Sequence, residues 1–322
     1  RLIRTAVIES KSGGCVIGSS LEHPASTSAC VRWSKITKKE YSNVHHNLDT
    51  ASVSVKEYSK YLRPDLRVAT IIHTSPVTGI TVNLKAISNA IRKIAPDCFI
   101  IVDGIQHAAH GPINLNEYDI DGYVISPYKV FSRHGYGIAW ISDRLFNLPH
   151  DTLLGNPSGS WELGTRDTAS YATFSNVVEY FDWLGSKFTK SLSKSLRIKA
   201  ACKAINTHEK RLINSMIFGF DNIIGLINIP GLKIIGGHDN RMREGLVSIY
   251  FNDLSSELIV SELSKRRIRV HIRKADHYSK SILDPIGRQD CVRISLCHYN
   301  TEKEVGIFLL ALDEIVFKNV NG

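Results

Sequence analysis

Two short runs, "ATII" (69–72) and "FIIV" (99–102), are apolar apart from the hydroxyl of Thr70 and do not alternate. A strand with one wet face alternates apolar and polar residues, so an unbroken run belongs to a strand covered on both faces. Other strand-like stretches surround them: "CVIGSS" (15–20), "RVATIIHTS" (67–75), "CFIIVDG" (98–104), "DGYVISP" (121–127) and "YGIAWIS" (136–142). Helical patterns lie between, at "VKEYSKYL" (55–62) and at "LKAISNAIRKIA" (84–95), where Ile87, Ile91 and Ile94 recur at helical spacing. Strand–helix–strand repetition predicts an α/β fold built on a mostly parallel, doubly wound sheet.

The second half reads differently. From Thr168 to Glu209 the chain has no proline and a helical composition, interrupted at Gly185. That break predicts a large domain over 1–185 and a small C-terminal α+β domain over 186–322, which begins with a long linking helix. Strands are expected at 231–237, 245–253, 268–273 and 291–296, with a helix at 255–267 and a closing helix at 301–318. Thr301 followed by Glu304 is a capping box for that last helix.

Composition enters through what it excludes. No apolar run approaches the ~20 residues that span a bilayer, and the start lacks the pattern of a secretory signal. The formal charge of +9 comes from Lys and Arg spread along the chain, clustered only at 35–39 and 265–274. Without zinc-finger spacing or an aromatic-interleaved basic strand, nucleic acid is not an expected partner. Six cysteines (15, 30, 98, 202, 291 and 297) form no C-x-x-C pair, which fits a reducing, cytoplasmic compartment better than a disulfide scaffold. His107, His110 and His134 show no carboxylate–histidine geometry, and no metal is expected.

Doubly wound sheets bind ligands outside the carboxyl ends of their strands. Ser75, Asp103 and the stretch Ser126–Lys129 all fall at such ends. Taken alone, an acid and a lysine 26 residues apart read first as a buried ion pair or as two surface charges. In a fold of this size the pair also suits pyridoxal phosphate, whose aldehyde condenses with a lysine amine while a carboxylate keeps the pyridine nitrogen protonated.

The motifs "TSPVTG" (74–79), "VDGIQHAAH" (102–110), "VISPYKVFSRHGYGIAW" (124–140), "WELGTRD" (161–167) and "VRISLCHYNTEKEV" (292–305) occur in that order. From about residue 15 to its end the chain resembles the class V aminotransferases, fold-type-I pyridoxal-phosphate enzymes that include cysteine desulfurases, isopenicillin N epimerase-like enzymes and kynureninase. The resemblance implies that Lys129 holds pyridoxal 5'-phosphate as a Schiff base. Asp103 would pair with the pyridine nitrogen, Gln106 would donate to the phenolate oxygen, and His23 would lie against the ring face. Ser126 would contact the phosphate, and Thr165 would reach the phosphate of a neighbouring subunit, implying a homodimer with composite active sites. Arg293 would clamp the substrate α-carboxylate with its planar fork.

Four departures refine the expectation. Tyr128 stands where many family members have histidine before the lysine. Pro76 stands where desulfurases usually have asparagine. The segment 267–281, where desulfurases carry a nucleophilic cysteine, has none. The family's Gly-Thr-rich phosphate turn has no counterpart from Arg1 onward, so a further N-terminal segment is expected to carry it. The sequence therefore favours aminotransferase or epimerase chemistry on an amino acid. Cysteine desulfurase or selenocysteine lyase-like β-elimination is the first alternative, and a catalytically silent, basic binding module the second. The loop 273–290, with His277 and Tyr278, is a candidate wall of the substrate pocket.

Overall fold

The computed structural model describes residues 1–156, 159–239 and 241–320. Helix α1 (Leu2–Glu9) leads into β1 (Cys15–Ser19), α2 (Pro24–Ile36) and β2 (Glu40–Val44). Then come α3 (Val55–Ser59), β3 (Leu66–Ile72), α4 (Leu84–Ile94), β4 (Phe99–Asp103), β5 (Gly122–Ile125) and β6 (Ile138–Ile141). These six strands form one sheet in the order β2-β1-β3-β4-β5-β6, parallel except for β6, which runs antiparallel to β5. The unbroken apolar runs do lie in its middle, on β3 and β4, paired from Val68–Phe99 to Ile72–Asp103.

Period two divides these strands between two cores. Cys15, Ile17, Ala69, Ile71, Ile100 and Val102 pack against Tyr58 of α3 and Leu84, Ile87 and Ile91 of α4. Val16, Val68, Phe99 and Ile101 pack on the opposite face against Leu2, Ala6 and Val7 of α1 and Cys30 of α2. Ile94, at the last turn of α4, is instead 40% exposed. Both β2 and α2 lie in sequence that gave no strand or helix signal. The residues of β2, "EYSNV", are largely polar because it is an edge strand.

After α5 (Asp143–Phe146) come two long helices, α6 (Thr168–Gly185) and α7 (Lys194–Phe218), and a two-stranded hairpin of β7 (Gly219–Phe220) and β8 (Ile223–Ile224). A second, wholly antiparallel sheet follows, in the order β11-β12-β10-β9, from β9 (Leu232–Ile234), β10 (Leu246–Phe251), β11 (His271–Lys274) and β12 (Asp290–Ser295). One face of this sheet, carrying Val247, Ile249, Val292 and Ile294, packs on α7, on α8 (Ser256–Lys265) and on α10 (Glu302–Val320). The expected capping box is present: the Thr301 N–H donates to Glu304 Oε2 at 2.7 Å, and the Glu304 N–H donates to Thr301 Oγ1 at 3.3 Å. The loop expected over 273–290 instead contains the end of β11, the short helix α9 (Lys280–Leu283) and a 3₁₀ turn at Asp284–Ile286.

Candidate active site

The strand order reverses between β1 and β3: β2 lies to one side of β1 and all later strands to the other. At such a switch point the loops leaving neighbouring strands diverge and leave a crevice at their carboxyl ends. His23 follows β1, the His73–Ser75 turn follows β3, and Asp103 ends β4. The opposite face of the small sheet closes the crevice. There, Ser248 donates its hydroxyl to the Val77 carbonyl, and Arg293 Nη1 donates to the Pro76 carbonyl at 3.1 Å. The resulting cavity, about 430 Å³, is lined by His23, Gln106, Lys129, Arg273, Tyr278 and Arg293, among others. A neighbouring cavity of about 730 Å³ shares His23 and is lined also by Asp103.

Lys129 sits in a 3₁₀ turn (Pro127–Val130) entered from Ser126, whose carbonyl accepts the Lys129 N–H at 3.0 Å. Its ammonium donates to Gln106 Oε1 at 3.0 Å. Burial lowers its pKa to about 8, against the opposing pull of Asp103 and with the help of Arg293 and Arg273. A useful fraction of the amine is thus neutral near physiological pH.

Asp103 accepts the Ile105 N–H at 3.0 Å on one oxygen. Burial raises its pKa, while that hydrogen bond and the charges of His23 and Lys129 work the other way. Gly104 makes the turn possible: a β-carbon there would lie 2.1 Å from the Tyr123 ring, closer than any side chain tolerates. His23 caps α2 by accepting the Ala25 N–H on Nδ1 at 3.2 Å, so the neutral ring carries its proton on Nε2. Burial holds its pKa below the usual value.

Gln106 passes the contact inward. With its oxygen facing Lys129, the amide nitrogen donates to His110 Nε2 at 3.1 Å, and His110 Nδ1 meets Glu209 Oε2 of α7 at 2.8 Å. Beside this chain, His107 pairs with Glu244 at 2.8 Å, Thr74 donates to the same carboxylate at 2.9 Å, and the rings of His73 and His107 lie 3.7 Å apart. The remaining histidine of interest, His134, stacks on Tyr128 at 4.2 Å. Among the described residues no group of three or more His, Cys, Asp or Glu could hold a metal ion.

Of the residues singled out in the sequence, His23, Gln106, Lys129 and Arg293 line the smaller cavity, and Asp103 lines the adjoining wall. Ser126 lines neither, and Thr165 is exposed on the segment before α6. Tyr278 does line the cavity, with its ring 5.5 Å from that of His23. Sequence reasoning missed Glu22, Arg273 and the His110–Glu209 pair. Glu22 and Arg273 lie beside motif residues, and His110 closes the "QHAAH" motif, but Glu209 comes from the middle of a long helix with no local signal.

The donor set fits pyridoxal phosphate: a buried amine of lowered pKa for the aldehyde, a buried carboxyl for the ring nitrogen, a flat imidazole for the ring face and a guanidinium for a carboxylate. All six thiols are pushed above the usual range by burial, Cys202, Cys291 and Cys297 to about 11. Among the described residues no helix is long and apolar enough to cross a membrane.

The family model described as "Aminotransferase class-V" matches residues 2–308. Similar curated proteins include "Aminotransferase-like protein FGM3" of Gibberella zeae, 27% identical over 84% of this chain and 64% of that protein. Another is "Cysteine desulfurase-like protein ustD" of Aspergillus flavus, 25% identical over 94% of this chain and 68% of that protein. The chain thus spans about two thirds of their length. Among solved structures, the apo cysteine desulfurase of Thermococcus onnurineus superposes with a TM-score of 0.80 at 17% identity, covering 98% of this chain and 77% of that one. The cysteine desulfurase CsdA of Escherichia coli gives 0.77 at 19% identity, covering 99% and 76%. These similarities carry the fold-type-I architecture, an α/β fold with a mostly parallel central sheet.

Proposed function

The chain belongs to the class V aminotransferase family, a family of pyridoxal-phosphate enzymes, and from that premise we propose that it acts on an amino acid by aminotransferase or epimerase chemistry rather than as a cysteine desulfurase. One observation carries the reading: Lys129, lowered to about 8, reaches the same crevice as Asp103, His23 and Arg293.

Each residue has a task that its surroundings suit. Bound pyridoxal phosphate supplies an electron-accepting ring that makes the substrate Cα–H acidic. Lys129 would hold the cofactor through its amine and, as the free amine, would take and return the Cα proton. Its lowered pKa matches it to both directions near neutral pH. Asp103 would hold a proton on the pyridine nitrogen, and Gln106 would lie on the phenolate side. His23 would cover the ring face and exclude water. Arg293 fixes the α-carboxylate, setting the angle of the bond to be broken. Ser126, at the entrance to the Lys129 turn, would be the phosphate contact. Thr165 would reach the phosphate bound in a second subunit of a homodimer, and the six free thiols support a cytoplasmic location.

Against desulfurase chemistry stands the thiol distribution. That reaction needs a mobile thiolate beside the substrate. Here the loop residue facing His23 is Tyr278, and the thiols are buried or half-buried, with raised pKa. The test is borohydride reduction of the purified, pyridoxal-phosphate-loaded protein, followed by peptide mapping and an amino-acid panel. An adduct on Lys129, with amino transfer or α-proton exchange and no sulfide from cysteine, is expected. An adduct on another lysine, or rapid sulfide release, refutes the assignment.

A further inference from the structure

The small sheet presents more positive charge to the crevice than one carboxylate can use. In the β11–β12 pairing His271 lies opposite Arg293 and Arg273 opposite Cys291. Alternation therefore places His271, Arg273, Cys291 and Arg293 on one face, with the two arginines on a diagonal that long side chains bridge. Both arginines line the cavity that holds Lys129.

Among the described residues no carboxylate lies within ion-pair distance of Arg273 or Arg293. The Nε of each is buried without a hydrogen-bond partner. The nearby acids do not supply the missing charge: Asp103 serves Lys129 and His23, and Glu22 is pushed up to about 8 by burial, so it is mostly neutral at pH 7. Two like-charged guanidinium groups in one partly desolvated site repel each other, and Arg293 is lowered to about 10 by burial and by Arg273. A ligand with one carboxylate relieves only one of them. A ligand with two anionic ends relieves both.

We propose that Arg273 binds the side-chain carboxylate of the substrate while Arg293 binds its α-carboxylate, so that the protein selects amino acids with an anionic side chain of the aspartate class. This rests on reading the crevice as an amino-acid site. Arg273 could meet the same oxyanion chemistry in the cofactor phosphate, and the experiment separates the two sources.

α-Methylated amino acids lack the α-proton and report binding without turnover. The loaded protein is titrated with 2-methylaspartate, 2-methylasparagine and 2-aminoisobutyrate, and binding is read from the visible spectrum and by calorimetry. Wild-type protein should bind 2-methylaspartate at least tenfold more tightly than its isosteric amide. Arg273→Met should abolish that preference, leave 2-aminoisobutyrate unchanged and keep the cofactor affinity. Arg273→Lys should retain part of the preference, because a point charge replaces the fork. Equal binding of acid and amide by the wild type overturns the proposal without any variant. Loss of cofactor affinity in Arg273→Met, with the ranking of amino acids intact, overturns it in favour of the phosphate. Failure to load cofactor on Lys129, or failure of every amino acid to bind, would instead count against the proposed function.

Discussion

Replacing Glu22 by glutamine should stabilise the protein at neutral pH and leave it nearly unchanged in mild acid. Glu22 is 6% exposed, lies next to His23, and accepts hydrogen bonds on Oε1 from Ser19 Oγ at 2.9 Å and the Ile72 N–H at 2.8 Å. Its Oε2 is buried with no partner. Burial raises the pKa from 4.5 to about 8; the Ile72 hydrogen bond opposes it and the charge of Asp103 adds to it. An acid whose folded pKa is raised destabilises the fold once the unfolded chain can ionise and the folded one cannot. The penalty is absent below pH 4.5 and grows by about 1.4 kcal/mol per pH unit. It amounts to about 3 kcal/mol at pH 7 and roughly 5 kcal/mol above pH 8, as upper figures. Glutamine keeps the oxygen that accepts both bonds and cannot ionise, so it carries no such penalty. Melting of wild type and Glu22→Gln, compared from pH 5 to pH 8.5, cancels the other titrating groups. The gap should widen steadily with pH, reaching about 6 °C near pH 7 at roughly 2 °C per kcal/mol. A gap that stays constant across this range would mean that Glu22 is ionised in the fold, and would refute the reasoning.

Other outcomes follow from the same structure. Asp121 is 2% exposed and accepts from Arg92 at 2.7 Å, from Arg144 at 2.8 Å and from the Ile100 N–H at 2.9 Å, so Asp121→Asn should cost about 3 kcal/mol in denaturant melts by removing the buried charge that both guanidinium groups share. Burial alone would lower the pKa of His110, but Glu209 outweighs it and leaves it raised. Stability from that pair is therefore complete below pH 6.5 and lost as pH rises through the raised value, and Glu209→Gln should destabilise the protein more at pH 6 than at pH 8.5 in thermal melts. In the cofactor-free protein, trapping of a small aldehyde on Lys129 by borohydride, followed by mass spectrometry, should accelerate with pH and level off above about 8; a lysine still protonated at pH 9 would contradict the burial argument.

Sequence alone determined the layered core and which ionisable residues stand at the strand ends. "ATII" and "FIIV" can be stable only where both faces are dry, and the capping box at Thr301 acts through neighbours three residues apart. The "VDGIQ" and "SPYK" motifs were legible because an acid or amine at the end of an apolar run has few places to go but a crevice. What sequence could not supply was any partnership between distant segments. The polar strand β2 exists because an edge needs no apolar pattern, only a neighbour with free hydrogen-bonding groups. Glu209 reaches His110 across 99 residues, and Arg273 joins Arg293 only through the register of β11 on β12. Burial decides the rest: Lys129, Glu22 and Arg293 are ordinary ionisable residues until the tertiary structure removes water from around them, because the cost of a charge depends on its surroundings and not on its place in the chain.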